Sequence, residues 1–286
     1  MTGQDPRAVG AQIRMRLPQL TPLELRVVDA LTSRKDLTDE TSLKDVAADT
    51  SVSEAMIVKI AKKLGFSGFR ALRGGLVEYK QTDAANLYRE ISPDDSSASI
   101  IQKVFRTSMQ ALEETIAILD IEAFDRAADI MHSAQHRDFY GIGGSAQIAR
   151  DVAHKFLRIG KRASVYDDAH MMMMSASVLK TGDAVLVFSH SGTTTAVLEP
   201  LILARKAGAR VVAVTNYAQS PVAQAADVVL CSTAQGSPLL GENAAARIAQ
   251  LNILDALFVA IAQRDFATAE VNLTKTMNAV STKREL

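Results

Sequence analysis

From about residue 123 onward the chain alternates. Short apolar runs rich in β-branched residues, at 138–142, 164–165, 184–188, 210–214 and 227–230, are separated by helix-forming stretches of ten or more residues. A strand that reads as a continuous apolar run is buried on both faces, and strands spaced by helices pair in parallel through crossovers. This half is therefore expected to be a doubly wound α/β domain with a parallel sheet covered on both sides. Such sheets bind ligands outside the C-terminal ends of their strands. Neither a solenoid-type repeat nor a low-complexity tract interrupts the pattern.

The texture upstream is different. Up to about Tyr79, short helical segments are broken by Pro18, Thr21-Pro22, Thr50-Ser51, Gly65, Gly68 and Gly74-Gly75. A polar, acidic, helical stretch follows, with one break at 92–97 that reads as a linker ending in a helix N-cap. The expected division is an all-α domain over 1–80, a helical linker over 81–119 and the α/β domain over 120–286.

Charge gains meaning only by segment. The 32 Lys+Arg and 32 Asp+Glu cancel over the chain's 286 residues. The first 80 residues, however, hold 13 basic and 10 acidic side chains, and residues 81–137 hold 5 and 10. No acid lies between Ala55 and Val77, where Lys59, Lys62, Lys63, Arg70 and Arg73 fall. A local basic stripe is thus hidden in a neutral total, and the alternative is a merely solvated helix face. The single cysteine, Cys231, excludes a disulfide framework or a Cys-based zinc site and is expected to be buried and inert. The longest apolar run, 256–262, is seven residues, against the ~20 that cross a bilayer. With no apolar signal segment at the N-terminus, the expectation is a cytoplasmic protein without a membrane partner.

The stripe sits in a recognisable setting. Leu43, Val46 and Ala47 share one face of a short helix capped by Ser42, and Thr50-Ser51 turns the chain beside Val52. Ser53 caps a second helix, with Met56 where a capping box has Glu. Ile57, Ile60, Ala61 and Leu64 recur at helical spacing as its buried face, and Gly65 ends it. Its other face carries Ser53, Glu54, Ala55, Lys59, Lys62 and Lys63. Two helices and a tight turn with a basic outer face make a helix-turn-helix. The second helix then reads base edges near its start and meets phosphates through its lysines, Arg70 and Arg73.

Two loops in the second half carry ligand chemistry. Phe139-Tyr140 runs into Gly141-Ile142-Gly143-Gly144-Ser145, a glycine-rich turn that lets backbone N–H groups approach a phosphate. It is not the dinucleotide fingerprint, because Gln147 stands where the third glycine belongs. The strand at 184–188 leads into Ser189-His190-Ser191-Gly192-Thr193-Thr194-Thr195, five hydroxyls around one glycine. Such a loop offers hydroxyl and amide donors to an anion without a permanent positive charge, which suits a phosphate monoester on a polyhydroxy body.

The run 52–69, VSEAMIVKIAKKLGFSGF, closely resembles the N-terminal domain of RpiR-type bacterial transcriptional regulators. Met56, which the resemblance places among the DNA-contacting residues, departs from the usual hydroxyl residue, and Ile60 departs from the usual aromatic one. GIGGS, followed some 44 residues later by SHSGTTT, looks like the sugar isomerase (SIS) domain over roughly 120–262. The resemblance implies that Ser189, Ser191 and Thr194 hold the phosphate of a phosphorylated sugar, with Thr193 and the backbone of His190 and Gly192 alongside. Ser145, beside Gly143 and Gly144, matches a position that contacts the sugar, and Glu242 stands where SIS enzymes often supply a carboxylate.

Two functions fit these residues. An aldose–ketose isomerase needs a base and an acid at the sugar carbons, and His190, Glu242, His154 and His170 are its candidates. Glu242 has no second carboxylate in an obvious pairing. The expected function is accordingly not an enzyme but a regulator whose operator affinity follows a bound phosphosugar effector, with double-stranded operator DNA as its other partner. The alternative is an isomerase or lyase with a helical oligomerisation domain. No cofactor or metal is expected: the four methionines 171–174 point around a whole helix and cannot converge on one ion. The dense apolar run 247–262 is expected to build a subunit interface in a homodimer or homotetramer.

Overall fold

The computed structural model describes residues 5–82, 91–234 and 243–281 of the chain. It divides into two compact units, 1–118 with 233–246, and 119–232 with 247–286.

The first unit is helical. In chain order it holds α1 (Arg7–Arg14), a short 3-10 turn, α2 (Pro22–Ser33), α3 (Leu43–Thr50), α4 (Glu54–Lys63), α5 (Phe69–Lys80) and α6 (Ser97–Ile118). Its apolar core draws on Val9 and Ile13 of α1, Val27, Val28 and Leu31 of α2, Val46 of α3, Ile57, Ile60 and Ala61 of α4, and Leu72 and Leu76 of α5. Full burial of one such Ile or Leu is worth about 1.5–3 kcal/mol. The core of this small unit is therefore sensitive to single truncations.

The stretch expected as a linker carries α6, which packs into the helical unit. Thr107, Gln110, Ala111, Glu114 and Thr115 are buried along one side of it. Glu114 meets the Arg14 guanidinium of α1 and accepts a hydrogen bond from the Tyr79 hydroxyl of α5 at 2.6 Å. In the sequence Glu114 is one acid of a polar helical stretch. Its pairing with residues 35 and 100 positions away has no signature in spacing.

The second unit is α/β: α7 (Ile121–Ser133), β1 (Arg137–Tyr140), α8 (Gly144–Arg158), β2 (Ser164–Tyr166), α9 (Ala169–Val178), β3 (Ala184–Phe188), α10 (Thr195–Lys206), β4 (Arg210–Thr215), α11 (Pro221–Ala225), β5 (Val228–Cys231), α12 (Asn243–Gln263) and α13 (Phe266–Ser281). The five strands pair in parallel in the order β2-β1-β3-β4-β5. Successive side chains of β3 serve opposite layers. Leu186 and Phe188 pack with α7, α8 and α12, while Val185 and Val187 pack with α9, α10 and α11. This is the doubly wound arrangement that the apolar runs call for. The order reverses between β1 and β3, so the crevice at the C-terminal ends of those two strands is where such a sheet places a ligand.

Helix α12 is less uniformly buried than its composition suggests. Ile253, Leu254, Leu257 and Ile261 enter the core, while Arg247, Ile248, Asn252, Asp255 and Val259 are exposed. Residues 244–263 are long and apolar enough, by length and composition, to cross a membrane, and 44% of the most apolar stretch is buried inside the fold. Around α9 the methionines diverge: Met172 is fully buried and Met174 is 64% exposed.

Candidate functional site

The first candidate surface is α4. The Ser42 side chain accepts from the Asp45 amide and the Asp45 side chain from the Ser42 amide, a capping box that starts α3. Ser51 turns the chain with φ +54°, a left-handed conformation that polar residues tolerate better than branched ones. The Ser53 hydroxyl accepts from the Met56 amide at 3.3 Å, and Gly65 ends the segment with φ +86°. With Ile57, Ile60, Ala61 and Leu64 all fully buried, the rotation of α4 is fixed. Ser53, Glu54, Ala55, Lys59, Lys62 and, from α5, Arg70 are left in solvent.

Three residues expected on that surface have other attachments. Lys63 Nζ lies 2.7 Å from Glu24, which is 5% exposed, and the Lys63 hydrogen bond holds that carboxyl below the usual range. Arg73 donates to the Thr41 carbonyl at 2.8 Å and lies 5.8 Å from the Phe69 ring centroid. Met56 is half-buried against the helical core. Sequence spacing assigns a side chain to a face, but it does not show which neighbour claims its charge.

The second candidate site is the pair of loops after β1 and β3. A Cβ on Gly141 would come within 2.8 Å of the Ser145 carbonyl oxygen, so this turn closes only with glycine there. Gly143, at φ +60°, is the N-cap of α8. Gly192, at φ +64°, accepts from the Val222 amide at 3.0 Å and is crowded by the Ser220 side chain. The Ser189 hydroxyl accepts from the Gly192 amide at 3.2 Å, and Ser191 accepts from both the amide and the hydroxyl of Thr193. The His190 carbonyl accepts from the Asn216 amide and the Thr215 hydroxyl, and its ring lies 6.1 Å from that of Tyr217. This second loop is therefore anchored to the chain beyond β4. Ser189 is buried, His190, Ser191 and Thr194 are half-buried, and Thr193 is exposed.

Within the α/β unit these two loops share an omission. Asp120, Asp168 and Ser220 cap α7, α9 and α11 by accepting from a first-turn amide. Helices α8 and α10 begin at Gly143 and Thr194 with no side-chain cap. No side chain claims their first turns, where the Ser145 and Ala146 amides bond the Ile142 and Gly143 carbonyls and the Val197 amide bonds the Thr194 carbonyl, so each N-terminal dipole is left open to an anion. The two uncapped ends follow β1 and β3, neighbours in the sheet.

A positive charge that the sequence reading missed joins them. A Cβ on Gly144 would collide with the Arg247 guanidinium, so this exposed arginine of α12 lies against the first loop. Its only advance signal was a position near the start of an apolar helix. Of the other titratable candidates, His154 is exposed in the interior of α8, His170 is exposed in the first turn of α9, and Glu242 lies outside the described residues. Asp138 has its carboxyl raised by burial, but it bonds Ser175 beneath α9 rather than facing the loops. Desolvation pushes the Cys231 thiol up to about 12, which makes it a poor nucleophile. Among the described residues, no cluster of His, Cys, Asp and Glu could hold a metal.

Comparison with known proteins gives these surfaces a setting. Residues 8–83 match the helix-turn-helix domain of the rpiR family, and residues 130–260 match the SIS domain. The chain is 44% identical to the HTH-type transcriptional regulator RpiR of Escherichia coli K12 over 95% of its own length and 92% of that protein's. It is 31% identical to an uncharacterised HTH-type regulator of Caldanaerobacter subterraneus, over 96% and 97% of the two chains. The NanR protein of Vibrio vulnificus, solved in complex with ManNAc-6P, shares the fold over 96% of this chain and all of that one, with a TM-score of 0.62 and 24% identity. The sugar isomerase domain of an RpiR transcription factor from Sphaerobacter thermophilus covers 62% of this chain and 97% of its own, with a TM-score of 0.55 and 23% identity.

Proposed function

The chain belongs to the RpiR family of helix-turn-helix transcriptional regulators that carry a SIS domain, and from that premise we propose that a phosphorylated sugar bound at the β1 and β3 loops sets its affinity for operator DNA. The observation that carries this reading is the pair of uncapped helix N-termini on adjacent strands, with Arg247 over one and the Ser189–Thr195 hydroxyls around the other. The phosphate lies at the N-terminus of α8 or α10, where no side chain caps the helix, together with Ser191 and Thr194. Arg247 supplies a charge-assisted bond. Ser145, in the first turn of α8, meets the sugar hydroxyls. That NanR was solved with a phosphorylated amino sugar supports the ligand class.

On the DNA side, α4 enters the major groove with Ser53, Glu54 and Ala55 near base edges. Lys59, Lys62 and Arg70 sit on phosphates. One helix of this length reads few base pairs, so at least two copies act together at paired half-sites. The protein works where its operator is, in the cytoplasm, and its SIS domain senses the sugar rather than converting it. Linkage makes the control reciprocal: a sugar that changes DNA affinity has its own affinity changed by DNA in the same proportion.

A thermal-shift panel of sugar phosphates, followed by anisotropy of labelled operator, tests this. A true effector raises the melting temperature, since a ligand at a hundred times its Kd stabilises the folded state by about 2.7 kcal/mol. The same compound must move the DNA binding curve. Multiple turnovers of that sugar phosphate, lost on Glu242→Gln, would overturn the sensing role in favour of an isomerase.

A further inference from the structure

Helix α6 is polar on its buried side and apolar on its exposed one. Glu114, fully buried, is held by Arg14, Tyr79 and the Gln110 amide. On the outside, Ile101, Phe105, Met109 and Ile116 are 59, 68, 45 and 67% exposed, with half-buried Leu112 in line. At 100° per residue these five fall in an arc of about 80° and run for about 22 Å, nearly opposite Glu114. Turning the helix to hide them would pull Glu114 from Arg14 and leave a buried charge unpaired. The exposure is therefore locked in by the pairing beneath it, and a continuous apolar stripe of this kind marks a contact surface.

The residues around the stripe identify its occupant. Two antiparallel copies of α6, crossed at Met109, place Ile101 opposite Ile116 and Phe105 opposite Leu112, apolar against apolar. On one flank of the stripe, exposed Arg106 then meets Glu113 of the second copy, and the two-fold axis repeats the pair. Glu113 is already bonded to Arg7 through one carboxylate oxygen, is 47% exposed in its side chain, and has the other oxygen to offer. A parallel pairing would set this flank against the opposite one, where Val104 and Ser108 give neither charge a counterpart.

We infer that α6 is a self-pairing surface, through which two copies of the chain associate antiparallel along Ile101, Phe105, Met109, Leu112 and Ile116, with Arg106 and Glu113 exchanged across the axis. This rests on the two-copy reading above and adds the surface. Because α6 is packed in the same compact unit as α4, the contact sets the separation of two recognition helices and hence the half-site spacing.

The full chain with Met109→Cys, oxidised with diamide, is expected to form a covalent dimer on a non-reducing gel. Ile100→Cys, exposed elsewhere on the helix, and the native chain with Cys231 alone are expected to form none. Ile101→Cys links only when Ile116→Cys is also present; linkage by Ile101→Cys alone would mean parallel pairing and overturn the proposal. In sedimentation velocity, Phe105→Glu raises the dimer dissociation constant by about thirtyfold or more. Arg106→Glu and Glu113→Arg each weaken the dimer, and the double variant recovers it. A chain that is monomeric at micromolar concentration overturns both the two-copy reading and this surface. A dimer indifferent to Phe105→Glu, with no Met109→Cys linkage, overturns this surface alone.

Discussion

The face of α4 and the loops after β1 and β3 are built in opposite ways. On α4 the backbone is spent on its own helix, and what faces outward is side chains: Ser53, Glu54, Ala55, Lys59 and Lys62. At the loops many side chains are turned back on the protein. Ser189 bonds Gly192, Ser191 bonds Thr193, and what is left to an anion is the pair of helix N-termini of α8 and α10 that no side chain caps. A surface of side chains is altered residue by residue without cost to the fold. A surface of backbone is altered only by changing the turn that shapes it. The difference predicts which substitutions separate binding from stability.

The sharpest test of that contrast is Gly192→Ala. A left-handed residue forced against Ser220 should destabilise the α/β unit by about 2–4 kcal/mol and remove the effector response. Thermal unfolding followed by ligand titration measures both, and a normal melting temperature would break the contrast. Next, replacing Ser189 and Ser191 together by Ala is expected to weaken phosphosugar binding about a hundredfold with operator affinity near normal. Calorimetry and anisotropy on the same preparation check it; loss of both activities would indicate an altered fold.

Smaller effects separate neighbouring lysines. Lys59→Ala and Lys62→Ala should each lower operator affinity several-fold and reduce the slope of log K against log salt by about 1. Lys63→Ala should leave the slope alone and instead lower the melting temperature, because its partner Glu24 is left buried. Equal slope changes for all three would erase the distinction. The same pair predicts a weak pH effect. The carboxyl of Glu24 is depressed in the folded state, so its contribution is complete above the ordinary carboxylate pKa and is lost as pH falls through the folded value. Urea unfolding at pH 7 and pH 3 should therefore differ less for Lys63→Ala than for the native chain. Smallest is Ser53→Ala, which removes the cap of α4 and should cost about 1 kcal/mol.

Much of this was legible from residues alone because it is local. Caps at Ser42 and Ser53, the buried set Ile57, Ile60, Ala61 and Leu64, and the turn glycine Gly65 act within a few positions of themselves. The parallel sheet was equally legible, since a strand covered on both faces must be apolar along its length, as in 184–188. The candidate site was legible in part: the residues single out two loops, and the structure puts them after adjacent strands. Arg247 was not, because its approach to Gly144 joins positions 103 residues apart.

The sequence by itself determined periodicity, caps, turns and the hydroxyl and glycine composition of the loops, all of which depend on bonds and side chains near in the chain. Only the tertiary structure decided which charges stay available. It gave Lys63 to Glu24, Arg73 to Thr41 and Arg14 to Glu114, and in the last case turned the apolar side of α6 outward. The reason is desolvation. A charge that packing removes from water must find an opposite partner wherever the fold brings one, and that partner is set by distance in space rather than by spacing along the chain.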